Sequence, residues 1–308
     1  MNPAIGLTFY TLILLPLIYF GNPAVALLVG MAITLGLNKT LISNASVLGK
    51  YSLQAAIILL GLKLNIGDLW RISANYTLAI FIYVVAAITI GLMIGRLMKV
   101  ERNSSLLMAS GTAICGGTTI ATLSPIIKAR PDQTGVALAI VFLLNAVALF
   151  TFPHVGHWLE MTQEQFGVWV ALAIHDTSSV VATAQIYGEE SAAVATTLKL
   201  GRTLWLIPLV LIVSFRERSE GAKVRLPGFI LVFLLASVAG STLPIPEFIP
   251  STAAALSKAL LVIALFFIGT EISRSTLGNL KGKVLVQALA LWGIVVPATL
   301  FMVIRFVD

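Results

Sequence analysis

A chain of 308 residues with one cysteine, three histidines and only 11% charged side chains is short of the groups on which most soluble enzymes rely. The single Cys115 excludes an internal disulfide and any CxxC metal or redox pair. Soluble domains carry about 25% charged residues. Here 58% of residues are apolar and the mean hydropathy is +0.98, which excludes an ordinary soluble fold. No HExxH helix is present, and His154 and His157 in HVGHW have no adjacent carboxylate or cysteine, so neither a metal nor a cofactor is expected. The net charge of +7 is gathered in short segments between apolar runs, a pattern of membrane orientation rather than of nucleic-acid binding. Met1–Phe20 has no basic leading region and runs into a second apolar stretch, so it reads as a retained helix.

What the chain does contain is a succession of apolar runs. At 1.5 Å rise, about 20 residues cross a bilayer. Eleven runs approach that length, at roughly 4–20, 22–37, 50–66, 75–97, 104–127, 134–153, 166–187, 191–214, 226–243, 252–271 and 283–306. The expected fold is therefore an all-α polytopic membrane protein. With the N-terminus inside, twelve of the twenty basic residues fall in inside loops, most densely in FRERSEGAKVRL at 215–226. Five (Arg71, Lys128, Arg130, Lys258 and Arg305) fall outside, which orients the chain N-terminus in and C-terminus out. The runs group as one extra helix (1–21) plus two sets of five, 22–153 and 166–308, in a single domain over 1–308. Spans five and ten then run in opposite senses, as an inverted repeat requires. Span ten also turns polar at Gly269, Thr270, Glu271 and Ser273, which makes it the expected partner of span five.

Span five, SSLLMASGTAICGGTTIATLSP at 104–125, is built to break at its centre. Gly111, Gly116 and Gly117 each weaken a helix by about 1 kcal/mol relative to alanine. Thr112, Thr118 and Thr119 add hydroxyls beside Cys115. An opened helix is tolerated at membrane depth only where it is buried in protein or lines a cavity, and such a break points to a transporter binding site. Close helix packing is the competing use of Gly116–Gly117, and a small buried hydrophobe that of Cys115. In span seven, AIHDTSSVVA places His175, Asp176, Thr177, Ser178 and Ser179 inside an apolar run. In span eight, TTLKLGR places Lys199 and Arg202 three apart, on one helix face. Charges at such depth cost about 2.5–3.5 kcal/mol and are usually paired. Asp176 is the expected counter-charge for one cation, leaving the other for an anion. Structural pairing is the alternative for His175–Asp176, and snorkelling that for Lys199 and Arg202. An interfacial ion pair with Arg274 is the alternative for Glu271. Asn145 supplies an amide for a bond across helices.

The segments GTAICGGTTIA, AIHDTSSVVATAQIYG and ATTLKLGRTLWLIPL, in that order, resemble the YeiH-like family of bacterial inner-membrane proteins (UPF0324 type), named for sulfate export. The resemblance runs from about residue 60 to the C-terminus. It implies membership of the cation/proton antiporter and bile-acid symporter superfamily. From that follow inverted five-helix repeats, two discontinuous crossing helices, and a core domain moving against a panel in an elevator-type cycle. It marks Gly111–Thr119, His175–Ser179 and Lys199–Arg202 as the site, and the inner membrane as the location; with the charge distribution above, the N-terminus is expected to be cytoplasmic and the C-terminus periplasmic.

Both lines lead to one expectation, a secondary transporter that exports a small oxyanion such as sulfate or a sulfonate. Gly111, Thr112, Cys115, Gly116, Gly117, Thr118, Thr119, Thr177, Ser178, Lys199 and Arg202 are its candidate substrate contacts, and His175, Asp176 and Glu271 its coupling residues. The expected partners are a small anionic solute, a coupling proton or sodium ion, the lipid bilayer and a second copy of the chain. The alternative is a cation/proton antiporter or a sodium-coupled transporter of small organic solutes. Enzymatic activity is not expected, because His175, Asp176 and Ser178 are too close on one helix to set a base between nucleophile and acid.

Overall fold

A computed structural model describes residues 3–37, 45–63, 65–217, 228–246, 248–270, 274 and 282–307. Among these the secondary structure is entirely helical. In order come α1 (Pro3–Phe20), α2 (Pro23–Leu37), α3 (Ala45–Gly61), α4 (Ile66–Leu97), α5 (Arg102–Ala113), α6 (Gly116–Ile126) and α7 (Pro131–Trp158). They are followed by α8 (Gln163–Ala173), α9 (Thr177–Tyr187), α10 (Glu189–Leu204), α11 (Leu206–Glu217), α12 (Gly228–Thr242), α13 (Phe248–Thr270) and α14 (Lys283–Phe306). Five helical stretches among the described residues, 74–97, 132–158, 189–217, 248–270 and 283–306, are long and apolar enough to cross a membrane. The chain divides into two compact units, Met1–Trp70 with Pro227–Leu277, and Arg71–Leu226 with Gly278–Asp308. Each takes helices from both of the repeats expected from sequence.

The first unit is organised by α13, which packs along α2 and α3. Glycine makes the closest approaches: a Cβ on Gly30 would collide with the Phe266 carbonyl, and one on Gly269 with that of Leu27. Such contacts replace the hydrophobic drive that lipid does not provide. Thr34 Oγ1 donates to Thr270 O at 3.0 Å, and Ser257 Oγ to Ala56 O at 2.7 Å. α13 is unbroken from Phe248 to Thr270. Span ten is thus continuous up to Thr270, and Glu271 lies outside the described residues.

The second unit corrects the path of two expected spans. Asn103 Nδ2 donates to Ile127 O at 3.2 Å although the residues are 24 apart. A straight helix would separate them by about 36 Å. α5 and α6 thus fold back on each other as a hairpin whose tip is Ile114–Cys115. Its mouth is closed by Arg130 Nη1 and Glu101 Oε1 at 2.8 Å. Span seven does the same. Tyr187 Oη donates to Met161 O at 2.6 Å across 26 residues, and the Phe166 and Tyr187 rings stack at 3.9 Å. α8 and α9 form a second hairpin with its tip at Ile174–Asp176. Apolar length alone cannot register this reversal, because two half-helices of 11 or 12 residues have the same combined length as one span.

α7 runs from one mouth to the other, 28 residues or about 42 Å. The hairpins consequently enter from opposite ends and meet at its middle, where Gly116 N donates to His175 O at 3.0 Å. Each hairpin is followed by a traversing helix, α7 after the first and α10–α11 after the second, in opposite senses. α4 and α14 flank them antiparallel. Gln287 Nε2 donates to Gly91 O and Ser105 Oγ, both at 2.9 Å, near one end, and Gln165 Nε2 donates to Val307 O at 2.8 Å near the other. Folding back brings Lys128 and Arg130, expected outside, to the same end as Arg96, Lys99, Arg102, Arg216 and Lys283. Glu160, Glu164, Glu189 and Glu190 gather at the opposite end, so the unit has a basic and an acidic pole.

Candidate functional site

The two tips bring together two helix N-termini and two helix C-termini. α6 begins at Gly116 after Cys115, and α9 begins at Thr177 after Asp176, which caps it by accepting from Ser178 N at 3.0 Å. The Ser178 hydroxyl also bonds the Asp176 carboxylate. First-turn amides have no intrahelical acceptor, so Gly117, Thr118 and their counterparts in α9 present donors and a partial positive charge of about half a unit at each start. Cys115 N donates to Thr119 Oγ1 at 3.1 Å, and Cys115 Sγ lies 3.3 Å from Thr177 Oγ1, joining the tips through side chains as well.

The cations sit at the opposite helix polarity. Lys199 and Arg202 are 0% and 1% exposed, and both reach the carbonyl end of α8. Lys199 Nζ donates to Ile174 O at 2.7 Å, while Arg202 Nη1 and Nη2 donate to Leu172 O at 2.7 Å and Ile174 O at 3.0 Å. Trp292 Nε1 takes Ala173 O at 3.2 Å. The last turn of α8, whose carbonyls would otherwise lack partners, is thereby capped by side chains from α10 and α14. The Arg202 guanidinium also lies 5.2 Å from the centre of the Tyr83 ring, and Tyr83 Oη donates to Thr112 O at 3.2 Å.

The expected ion pair between Asp176 and one of these cations is not formed. Neither Lys199 nor Arg202 has a carboxylate partner among the described residues. Asp176 instead faces the other hairpin: a Cβ on Gly117 would stand 3.7 Å from Asp176 Oδ1. The reason is that α9 needs an N-cap, and an aspartate immediately before its first turn satisfies it. Two buried cations thus share the tips with one half-buried carboxylate.

His175 points to α7. Its backbone N and ring Nδ1 both contact Asn145 Oδ1, at 3.1 and 3.2 Å. Among the described residues, His175 Nε2, Asn145 Nδ2, Arg202 Nε, Thr112 Oγ1 and Thr196 Oγ1 are buried without a hydrogen-bond partner. Buried polar groups are almost always satisfied, so the unpaired His175, Asn145 and Arg202 nitrogens make the tips the candidate site. Gly111 is in ordinary helix at the end of α5, where a Cβ would stand 3.1 Å from the Ile120 side chain. Sequence reading did not find Tyr83 or Trp292, which are single aromatics in apolar helices with no local signal. Asn145 it did single out as a bonding amide, without placing it at the site.

The chain matches the family model described as "Conserved hypothetical protein 698" over residues 10–288. It is 41% identical over 283 residues to a UPF0324 membrane protein of Bacteroides thetaiotaomicron, covering 91% of this chain and 85% of that one. It is 43% identical over 277 residues to a UPF0324 membrane protein of Porphyromonas gingivalis, covering 88% and 83%. A UPF0324 membrane protein of Geobacter sulfurreducens is 41% identical over 251 residues, covering 82% and 81%. No solved structure matches.

Proposed function

Since the chain belongs to the UPF0324 family of membrane proteins, as its three motifs indicated, we propose that it is a secondary transporter whose site is the meeting point of the two hairpin tips. The cargo we assign is a small oxyanion, sulfate or a sulfonate, moved outward across the bacterial inner membrane by alternating access. One observation carries the assignment: Lys199 and Arg202 are buried at the hairpin tips with no carboxylate partner among the described residues. Burying a charge costs several kcal/mol. The α8 carbonyl end and the Tyr83 face offset part of that, at about 1.5–3 kcal/mol per charged hydrogen bond and about 0.5–2 kcal/mol for a cation over a ring. What remains is positive charge beside two helix N-termini, the recurrent setting for anions. The basic pole of the second unit fits a cytoplasmic location.

The half-buried Asp176 favours a second reading, cation/proton antiport. Proteoliposomes separate the two. Saturable sulfate flux that Arg202→Gln abolishes supports anion transport. Sodium-driven proton flux in the absence of anion, abolished by Asp176→Asn, establishes the second reading in its place.

A further inference from the structure

At the basic pole of the second unit lies a cavity of about 390 Å³ that the hairpin tips do not use. Ile88 and Leu92 of α4, Leu106 of α5, and Leu209 and Ile212 of α11 form its apolar walls. Arg96, Arg102 and Arg216 stand at its rim with Glu217. Arg102 is engaged by Glu217 at 2.6 Å, whereas Arg96 and Arg216 are exposed and have no ion-pair partner among the described residues. The surrounding surface is itself apolar: Leu97, Ile212 and Phe215 are 81%, 66% and 91% exposed.

An inorganic anion would find the rim suitable but the walls useless. A neutral lipid would find the reverse. A ligand with an anionic head and an apolar tail uses both, and the volume falls within the 300–1,000 Å³ of ordinary ligand sites. We propose that this cavity binds an acidic phospholipid, with its phosphate on Arg96 and Arg216 and one acyl chain along α4 and α11. The placement agrees with the chemistry. Clusters of basic residues where helices leave the membrane recognise acidic headgroups, and the segment after Arg216 continues with Arg218, Lys223 and Arg225 in sequence. The site is independent of the cargo at the tips.

The test uses the full chain in detergent, with thermal unfolding and native mass spectrometry as readouts. Phosphatidylglycerol is expected to raise Tm and remain bound, with phosphatidylcholine and inorganic phosphate giving little of either. Arg96→Gln/Arg216→Gln should weaken phosphatidylglycerol binding about thirtyfold, from about 1 kcal/mol per basic residue near an anionic surface. Arg96→Lys/Arg216→Lys should retain most of it. Both arginines are exposed, so the lipid-free Tm of each variant should match the parent. Equal stabilisation by phosphatidylcholine overturns the proposal, as does full retention in the glutamine variant. So does phosphate binding that depends on the same arginines while phosphatidylglycerol has no effect.

Discussion

Gly116 tests whether the tips are docked as described. A Cβ there would stand 2.6 Å from Val141 Cγ1 and 3.1 Å from His175 Cβ. Carbon atoms prefer about 3.5–4.0 Å, so Gly116→Ala must push the first hairpin away from α7 by about 1 Å and stretch the Gly116 N–His175 O bond. Overpacking of that size costs about 1–3 kcal/mol, partly offset by the better helix propensity of alanine. Gly117 is the control, since a Cβ there meets nothing closer than 3.7 Å. Gly117→Ala should leave stability unchanged or raise it by about 0.4–1 kcal/mol, while its methyl beside Asp176 suppresses transport. Val141→Ala removes the colliding methyl and should couple to Gly116→Ala by about 0.5–3 kcal/mol in a double-mutant cycle. The rescue stays incomplete because His175 Cβ remains. Unfolding in detergent reads the stabilities and proteoliposome flux reads function. Equal stabilities for the two alanine variants, or strict additivity with Val141→Ala, would falsify the docking of the tips on α7.

Single cysteines at Lys99, Lys128, Glu160 and Glu189, in a Cys115→Ser background, report the hairpins directly. A membrane-impermeant maleimide should label positions 99 and 128 from one side and 160 and 189 from the other, whereas eleven crossing spans would split each pair. Arg202→Lys, although charge-conserving, gives up the two-carbonyl grip on Leu172 and Ile174; the loss of one charged bond should cost about 1.5–3 kcal/mol of stability, read as a lowered Tm. At the basic pole, hydrogen bonds from Arg130 hold the Glu101 and Asp132 carboxyls below their usual range. Their folded-state values are depressed, so the contribution is present above about pH 4–4.5 and disappears as pH falls further. The acid-side loss of Tm should be small, these groups being exposed, and smaller still in Glu101→Gln/Asp132→Asn.

The residues of the candidate site were legible because polarity is costly at membrane depth. Cys115, Gly116, Gly117, His175, Asp176, Lys199 and Arg202 each interrupt an apolar run, and the structure gathers them at the tips. The path of the chain was not legible. Hydropathy counts residues and carries no direction, so a polar tip between two half-helices reads as a defect within one span. The signal that distinguishes them is long-range: Asn103 with Ile127, and Met161 with Tyr187. Span ten was paired with span five by parity of crossing, and two reversals remove that argument. The role of Asp176 was misjudged for a related reason: pairing by charge ignored that an aspartate preceding a helix start caps it first.

Charge balance at the tips leads to the last prediction. Two helix starts and two helix ends meet there, with partial charges of about half a unit each that cancel. Capping is unequal: three side chains cover the end of α8, whereas, among the described residues, the Tyr83 side chain alone bonds the last carbonyls of α5, at Thr112 O. Lys199 and Arg202 against Asp176 leave one net positive charge, with His175, Cys115 and Tyr83 the other titratable groups close by. A monoanion neutralises this, but a dianion overshoots unless one proton is taken up with it. On the proposed reading, sulfate should therefore bind more tightly as pH falls from 8 to 6, by at most tenfold per unit for one proton, while a monovalent sulfonate should change little. Asp176→Asn should bind sulfate at both values with the dependence abolished, as isothermal titration can measure. Sulfate affinity in the parent protein that is flat across that range would remove Asp176 from the coupling and with it the balance argued here.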